Sequence, residues 1–501
     1  MRVLLVHPSP LMYSEIYLRL EPLGMERVAQ AVRMAGHDVR IIDLQTFSHT
    51  ELNTELAAFR PEAVGFSLNY LANVPEVIDL AKAVKGRLPS CYVFIGGHSG
   101  SFIADELLEH GRGTIDCVLK GEGELSAQLL LKAIPKGEAE RVPGAVTLHG
   151  KGPAPVLLED LDQYQPARDL LRRRRKYFIG ELDPCASIEF TRGCPWDCAF
   201  CSAWTFYGRS YRSATPEKIG EELQSIQEPN VFIVDDVAFI HPEHGFAIGQ
   251  EIERRNIQKR YYLETRADVL LKNREVFAYW RKLGLKYLFL GLEAIDAEGL
   301  KMHRKRVSMG TNTEALEVAR EIGVKVAVNL IADPSWDKER FAVVREWAMS
   351  IPDIVHLTVA TPYPGTELWL TESRKLTTQD YRLFDIQHAV LPTTLPLHEF
   401  YSELVETQRE IARKHLGVAV LRKAAKRMGQ LALDGQFNFI KSIWKFYKDY
   451  NADRQFADHQ QKVVYNIRPP GPIVPLSKER SELYIHPKQR RAGAEAAQGV
   501  A

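Results

Sequence analysis

The chain of 501 residues lacks long hydrophobic runs and a strong net charge. No segment approaches the roughly eighteen consecutive apolar residues of a membrane-spanning helix. The apolar run VLLV near the start ends at His7 and is too short for the core of a secretory signal peptide. Lysine plus arginine number 65 and aspartate plus glutamate 64, a balance that indicates no nucleic-acid partner. We therefore expect a cytoplasmic protein.

Cysteine is also scarce, with six residues in all. Cys91 and Cys117 lie in apolar strand-like runs and are predicted to be buried packing residues, whereas Cys185 follows a Pro-rich turn and is ambiguous. The other three crowd into TRGCPWDCAFCSAW as Cys194, Cys198 and Cys201. In a reducing cytoplasm this crowding indicates a metal or redox site rather than disulfides.

Residues 1–140 alternate short apolar runs with amphipathic stretches, the pattern of a doubly wound, Rossmann-like parallel sheet. In such sheets ligands bind beyond the carboxyl ends of the strands. The candidates at those ends for contacts to a cofactor are His7, Ser67, Gly96, Gly97, His98, Ser99, Gly121, Glu122, Gly123 and Glu124. The alternative, given equal weight, is that the glycines only form turns.

Residues 141–180 are predicted to be a linker, in which the basic run RRRRK forms a solvated face. Residues 181–397 alternate strand and helix patterns, with strand runs at 186–191, 231–235, 261–265, 287–291, 325–331 and 354–360. Six βα units are fewer than the eight of a closed TIM barrel, so we predict a partial (β/α)6 barrel with its active site at the carboxyl ends of the strands.

Residues 398–484 are predicted to form a C-terminal helical domain, and 485–501 a disordered tail. One helical face carries Phe437, Ile440, Trp444 and Tyr447, bordered by lysines. A packing face is the favoured interpretation, and contact with a membrane surface is the alternative.

The cysteine loop directly follows the first barrel strand. Its three thiolates can ligate three irons of a 4Fe-4S cluster and leave the fourth iron open for a substrate. Structural zinc needs four ligands, usually as two separated pairs, and no second pair occurs. The next histidine, His241, lies on another loop, so the cluster is the favoured interpretation.

The spacing CxxxCxxC, with Phe200 before the last cysteine, resembles the cluster loop of the radical S-adenosylmethionine (SAM) superfamily over about residues 180 to 395. The resemblance implies that SAM chelates the open iron and is cleaved to a 5'-deoxyadenosyl radical after reduction by a donor such as a flavodoxin or ferredoxin. It assigns SAM contacts to Phe200, Asp235, Asp236, Glu264, Arg266 and Glu293. No general acid or base is assigned.

The doubly wound domain before this loop resembles the cobalamin-binding subclass of that superfamily, whose characterised members mostly methylate unactivated carbon. The GG turn at 96–97 and the GEGE segment at 121–124 carry this resemblance. The DxHxxG motif, which supplies a lower histidine ligand to cobalt elsewhere, is absent. We therefore expect cobalamin to bind without a histidine ligand below the cobalt. For His98, a loop residue is the favoured interpretation and a cobalt ligand is the alternative.

A closer resemblance lies in HPSPLMYSEIYLRLEPLGMERVAQ, FTRGCPWDCAFCSAWTFYGRSYR and FYKDYNADRQFADHQ, which look like the hopanoid C-3 methylase family. It implies a transferase of hopanoid biosynthesis that methylates C-3 of ring A of a lipid-like polycycle, with peripheral contact at the inner face of the membrane. Two alternatives remain: a cobalamin-dependent radical SAM cyclase or methylase acting on another polycycle such as a tetrapyrrole, and a cobalamin sensor with a degenerate barrel. The intact cysteine triplet disfavours the sensor.

Overall fold

The structure is a computed structural model that describes residues 1–11, 14–414 and 418–469, with backbone alone at residues 14 and 418–424. The predicted disordered tail, 485–501, and the part of the predicted helical domain beyond residue 469 lie outside the described residues.

The strands of the described residues are, in chain order, β1 Arg2–His7, β2 Leu18–Arg19, β3 Asp38–Asp43, β4 Ala63–Ser67, β5 Tyr92–Gly96, β6 Cys117–Leu119, β7 Ala145–Val146, β8 Phe178–Ile179, β9 Cys185–Ile188, β10 Thr191–Arg192, β11 Arg212–Ser213, β12 Asn230–Ile233, β13 Arg260–Thr265, β14 Leu285–Glu293, β15 Lys325–Ala332 and β16 Ile354–Val359. The helices are α1 Leu23–Met34, α2 His49–Phe59, α3 Val74–Arg87, α4 His98–Phe102, α5 Ala104–His110, α6 Gly123–Ala133, α7 Ala203–Phe206, α8 Pro216–Ser225, α9 Pro242–Arg254, α10 Ala267–Lys272, α11 Arg274–Leu283, α12 Ala297–Met302, α13 Met309–Ile322, α14 Lys338–Ser350, α15 Glu367–Glu372, α16 Leu397–Arg413, α17 Val418–Leu433, α18 Asn438–Asp449 and α19 Ala452–Asp458.

The amino-terminal sheet has the strand order β3-β1-β4-β5-β6-β7, parallel except for the antiparallel edge strand β7. Helices cover both faces, so every residue from Val3 to Val6 in β1 is buried. The chain moves from β1 outward to β3 and then crosses to β4, which makes the crevice between β1 and β4 the switch point where ligands bind such sheets. The predicted doubly wound sheet is confirmed.

The second sheet is wholly parallel, in the order β16-β15-β14-β13-β12-β9. Its edge strands β9 and β16 do not pair with each other, so the sheet curves without closing, as predicted. Side chains alternate along each strand between the surrounding helices and the lumen. In β13, for example, Tyr261 and Leu263 pack against the helices, whereas Tyr262 joins a small cluster in the lumen.

A two-stranded antiparallel ribbon of β2 and β8 lies in the gap of the partial barrel. Leu20, Ile179 and Leu182, in or beside this ribbon, pack in the lumen with a layer of barrel side chains that includes Phe232 and Tyr287. The ribbon therefore fills the half of the lumen where the strands begin and leaves the half where they end to the site.

The predicted linker, 141–180, contributes to both domains. Its β7 extends the first sheet, and Arg168 is buried, where it pairs with Glu21 at 3.0 Å and with Glu222 at 2.5 Å. Within the basic run, Arg174 is largely buried and pairs with Glu228 at 2.6 Å. The prediction of a solvated basic face is therefore wrong at Arg174, because buried carboxylates of the barrel pair with the linker arginines.

Helices α17 and α18 close the end of the barrel where its strands begin. Arg427 of α17 donates to the Glu181 carbonyl oxygen at 3.0 Å, and Asn438 of α18 donates to the Asp183 carboxylate at 2.8 Å. Both acceptors immediately precede β9. The helical pair therefore lies opposite the predicted catalytic end.

The aromatic stripe of α18 faces outward. Phe437, Trp444 and Tyr447 are 47%, 60% and 44% exposed, whereas Phe446 and Tyr450 of the same segment are buried, in a cluster with Ile16 and Val405. The favoured interpretation of the stripe as a packing face is therefore wrong at Phe437, Trp444 and Tyr447, whereas Ile440 is partly buried. The helix has a second apolar face, with Phe446, and that one packs.

After α19 the chain returns to the amino-terminal sheet in extended form. The Tyr465 hydroxyl donates to the Asp79 carboxylate at 2.6 Å, and Ile467 is fully buried in the core beside β4. The carboxyl-terminal segment thereby fastens the barrel side of the molecule to the first domain.

Candidate active site between the two sheets

The cysteine loop is held at its base by an antiparallel ribbon in which Thr191 pairs with Ser213 and Arg192 with Arg212. Gly193 begins the loop at φ +102°, and a Cβ there would lie 2.2 Å from the Ser210 carbonyl oxygen. Only glycine fits this close approach. The TRGC sequence therefore forms the turn that leads from β10 into the loop.

The three thiols of the loop form a largely buried sulfur donor set. Burial raises the pKa of the Cys194 thiol to about 12 and that of Cys201 still further. The Ala203 backbone N–H donates to Cys201 Sγ at 3.5 Å, and Arg266 Nη1 lies 3.9 Å from Cys198 Sγ. Such donors stabilise metal-bound thiolates, so three thiols on one loop fit three irons of a 4Fe-4S cluster. In the described part of the chain, no group of three His, Cys, Asp or Glu side chains meets the geometry of a single-ion site.

Carboxylates from adjacent strand ends surround the same space. Burial, then Asp236 and Glu293, raise the pKa of Glu264 to about 7, and burial together with Glu189 raises that of Asp236 to about 6. No described residue hydrogen-bonds to the Glu264 carboxylate. This uncompensated negative charge fits a cationic ligand, and SAM carries both a sulfonium and an ammonium group.

The neighbouring carboxylates of Asp235 and Asp236 differ in how many hydrogen bonds they accept. Asp235 is buried and accepts hydrogen bonds from the Phe190 and Thr191 backbone N–H groups at 2.7 and 3.1 Å and from the Thr191 hydroxyl at 2.6 Å. Asp236 accepts one, from the Gly193 N–H at 3.2 Å. Asp235 therefore fixes the turn after β9, and Asp236 is the stronger candidate for a SAM contact.

The other residues predicted to contact SAM border the loop. The Arg266 guanidinium lies over the Trp196 ring at 4.4 Å, Glu293 pairs with Lys305 at 2.9 Å, and the Phe200 ring lies 5.5 Å from that of His303. Each predicted SAM contact stays a prediction.

At the carboxyl ends of the first sheet, His7 is buried, and burial lowers its pKa. Ser67 ends β4, and Gly96 has open space where a Cβ would lie. Gly97, at φ +106°, would place a Cβ 2.8 Å from the Leu68 carbonyl oxygen, so its turn alone requires glycine. Of the glycine pair, Gly96 is the one beside which a large ligand has room.

Five more of the predicted cobalamin contacts already contact other parts of the protein. Gly121 and Gly123 would each place a Cβ within 3.0 Å of a neighbouring side chain, and the Ser99 hydroxyl donates to the Asn69 carbonyl oxygen at 2.8 Å. Glu122 and Glu124 are buried in ion pairs. Their role in binding cobalamin stays a prediction.

His98 opens α4 and reaches across to the cysteine loop. Its Nε2 lies 2.7 Å from the Ser202 hydroxyl, and its ring packs between Phe102 and Phe206. Burial lowers its pKa to about 4. His98 is thus a neutral hydrogen-bonding group between the two domains, in keeping with the absence of a histidine motif for cobalt.

Tyr70, which lies shortly after the end of β4, had no signal in the sequence. It is 51% exposed, and desolvation of its hydroxyl, then the charge of Glu264, raises the pKa of that hydroxyl. Only the place of Tyr70 shortly after a strand end could have marked it.

Comparisons with known proteins agree with this geometry. The family model of the radical SAM superfamily matches residues 188–348, and that of the B12 binding domain matches residues 11–131. Hopanoid C-3 methylase of Methylococcus capsulatus is 60% identical over 98% of this chain and 96% of its own. The anaerobic magnesium-protoporphyrin IX monomethyl ester cyclase of Rubrivivax gelatinosus is 25% identical over 82% of this chain and 77% of its own. The solved structure of the radical SAM methyltransferase TsrM of Kitasatospora setae, with cobalamin and a [4Fe-4S] cluster bound, has the same fold, with a TM-score of 0.59 at 18% identity over 74% of each chain.

The fold and the site define a cobalamin-binding radical SAM enzyme. The chain belongs, within that class, to the methylase family of its Methylococcus capsulatus relative. Its cofactors are a 4Fe-4S cluster, SAM and cobalamin.

Proposed function

We propose that the protein methylates an unactivated carbon of a hopanoid, at C-3 of ring A. The observation that carries this proposal is the 60% identity to hopanoid C-3 methylase across nearly the full length of both chains. The cyclase relative, at 25% identity, supports the shared domains but not a shared substrate.

In this proposal each group of residues has a distinct task. Cys194, Cys198 and Cys201 hold the cluster, Asp236 and Glu264 attract the positive charge of SAM, and the strand ends of the first sheet hold the corrin. When bound, the cluster and SAM supply hydrogen-atom abstraction and cobalamin supplies the methyl group. The radical SAM domain requires a one-electron reductant, and we propose a flavodoxin or ferredoxin.

The lumen has an apolar side suited to a saturated polycycle. Phe289 is only partly buried and lies beside Glu264 in the sheet register. Val234 and Ile354 are likewise only partly buried and pack in the same lumen cluster. Such a surface binds a hydrocarbon ring and excludes water from a reactive site.

A lipid substrate also gives the outward stripe of α18 a role. Trp444 and Tyr447 are exposed, and Lys448 lies over the Trp444 ring at 4.5 Å. Aromatic side chains bordered by lysines bind the interface of anionic membranes. No helix among the described residues is long and apolar enough to cross a membrane. We therefore propose peripheral contact with the inner face of the membrane through α18.

Sedimentation with anionic vesicles tests this contact. Trp444→Glu should lower the bound fraction several-fold, because it places a negative charge at the interface. Met34→Glu is the matched control, since Met34 is 58% exposed on a helix of the other domain and should not change binding. Equal sedimentation of Trp444→Glu and the unmodified protein would refute the contact.

The substrate is tested by expressing the protein in a bacterium that makes hopanoids without methyl groups on ring A. We expect hopanoids heavier by one methylene unit, with the added mass on the fragment that contains ring A. If tetrapyrroles changed instead, without gaining a methyl group, the cyclase alternative would replace the proposal.

A further inference from the structure

The carboxylates of the GEGE segment, at the carboxyl end of β6, contact the ribbon that carries the cluster loop. Arg192 Nη1 lies 3.1 Å from the Glu122 carboxylate, and its Nη2 lies 3.0 Å from that of Glu124. The same Nη2 lies 2.8 Å from Glu189. Arg192 is 6% exposed and stands two residues before Cys194. One arginine beside the first cluster ligand thus pairs with carboxylates from both domains.

The second strand of the ribbon contacts the same segment. Arg212 Nη2 donates to Glu122 Oε1 at 2.7 Å, and Nη1 donates to Oε2 at 3.0 Å, a bidentate pair of fixed geometry. Because Arg192 and Arg212 are directly paired across the ribbon, Glu122 bridges both strands at the point where the loop begins and ends.

The far side of the cysteine triplet has its own link to the first domain. Ser202 follows Cys201 immediately, and its hydroxyl lies 2.7 Å from His98 Nε2. His98 follows β5, and Glu122 follows β6. Loops at neighbouring strand ends of the cobalamin-binding sheet therefore contact both flanks of the triplet.

We infer that Glu122, Glu124 and His98 are positioning residues that fix the cluster loop over the cobalamin-binding sheet, and so set the separation of the two cofactors. Buried, charge-assisted hydrogen bonds are short and directional, so they define one relative arrangement of the domains. The carboxylates of Glu122 and Glu124 are almost fully buried and already paired. They act on the cofactors through Arg192 and Arg212 and not by direct contact.

The test uses the holoenzyme with cluster and cobalamin and does not depend on the identity of the substrate. The magnetic interaction between reduced cluster and cob(II)alamin is read from the electron paramagnetic resonance spectrum. The variants are Glu124→Gln and the double variant Glu122→Gln/Glu124→Gln, which keep side-chain shape and remove charge. Arg33→Ala is the matched control, because it removes an exposed ion pair of 2.6 Å between α1 and Asp169.

We expect both variants to retain their iron and cobalamin contents. The magnetic interaction should change or broaden, because the cluster shifts relative to cobalamin by on the order of 1 Å, a displacement large enough to impair catalytic alignment. The control should match the unmodified protein. Loss of cobalamin with the cluster retained would overturn the inference, since it would make these carboxylates direct cofactor ligands. An unchanged interaction in both variants would overturn it too, and Arg192→Lys supplies a milder change if the double variant does not fold.

Discussion

The two ends of the partial barrel differ although the same strands build both. On β13, Tyr262 packs in the apolar layer with Phe232 near the strand starts, whereas Glu264, on the same face two residues later, has no hydrogen-bond partner for its carboxylate among the described residues, and burial, then Asp236 and Glu293, raise its pKa. The first end is closed by the β2–β8 ribbon and by α17 and α18, and the other faces the first sheet. Apolar packing is therefore concentrated where the strands begin, and the groups suited to chemistry lie where they end.

The largest expected effect is at the catalytic end. Cys198→Ala should reduce SAM cleavage to background and lower the iron content, because an iron loses its thiolate. Measurement of 5'-deoxyadenosine and iron checks this. Cys91→Ala is the control, since Cys91 is a buried packing residue of the first sheet, and it should retain both. Cleavage by Cys198→Ala at the normal rate would contradict the assignment of the loop.

A core truncation at the end where the barrel strands begin should affect stability rather than activity. Phe232→Ala should destabilise the protein by about 3–5 kcal/mol, because it removes a buried ring from the lumen layer. SAM cleavage per folded molecule should be retained. Denaturant unfolding with an activity assay separates the two quantities, and Phe437→Ala on the exposed stripe should shift stability by less than about 0.5 kcal/mol. A Phe232→Ala protein that is fully stable but inactive would refute the assignment of stability to one end of the barrel and chemistry to the other.

A smaller effect on stability is expected when a buried ion pair beyond β16 is removed. This ion pair has a structural role although it lies past the strand ends. His388 lies between Asp385 at 3.1 Å and Asp458 at 3.4 Å, with Tyr401 and His459 packed beside its ring. Although burial opposes it, these carboxylates raise the pKa of His388 to about 9. Its folded-state pKa exceeds the unfolded value near 6.5, so its stabilisation is complete below that pH and is lost as the pH rises through 9.

We therefore expect His388→Gln to abolish a stability difference on the order of 3 kcal/mol between pH 6 and pH 10. Unfolding free energies across this range provide the measurement. His398→Gln is the control, since His398 pairs with Asp453 at an exposed position. A pH profile that is identical in His388→Gln and in the unmodified protein would assign the titration elsewhere.

The strands of the barrel could be predicted from sequence because parallel strands are continuous apolar runs. Each of the six predicted starts lies within two residues of the observed one. The cysteine loop could also be predicted, since the spacing of its three cysteines is a local sequence pattern. The pairing of Glu124 with Arg192 was not, because the partners are 68 residues apart and no local pattern joins them.

The sequence also could not predict which face of α18 packs against the rest of the protein. Phe446 and Tyr450 form one apolar face and Trp444 and Tyr447 another. Periodicity shows both faces, but the choice depends on which distant segment reaches the helix. Ile16, from the chain after β1, decides it.

The most direct measurement is made anaerobically on holoenzyme given reductant, a hopanoid extract and SAM with a deuterated methyl group. We expect one labelled methyl group on ring A of the hopanoid, together with 5'-deoxyadenosine, and loss of both in Cys198→Ala. A hopanoid that gains no label while 5'-deoxyadenosine still accumulates would contradict the proposed substrate and leave only the radical chemistry standing.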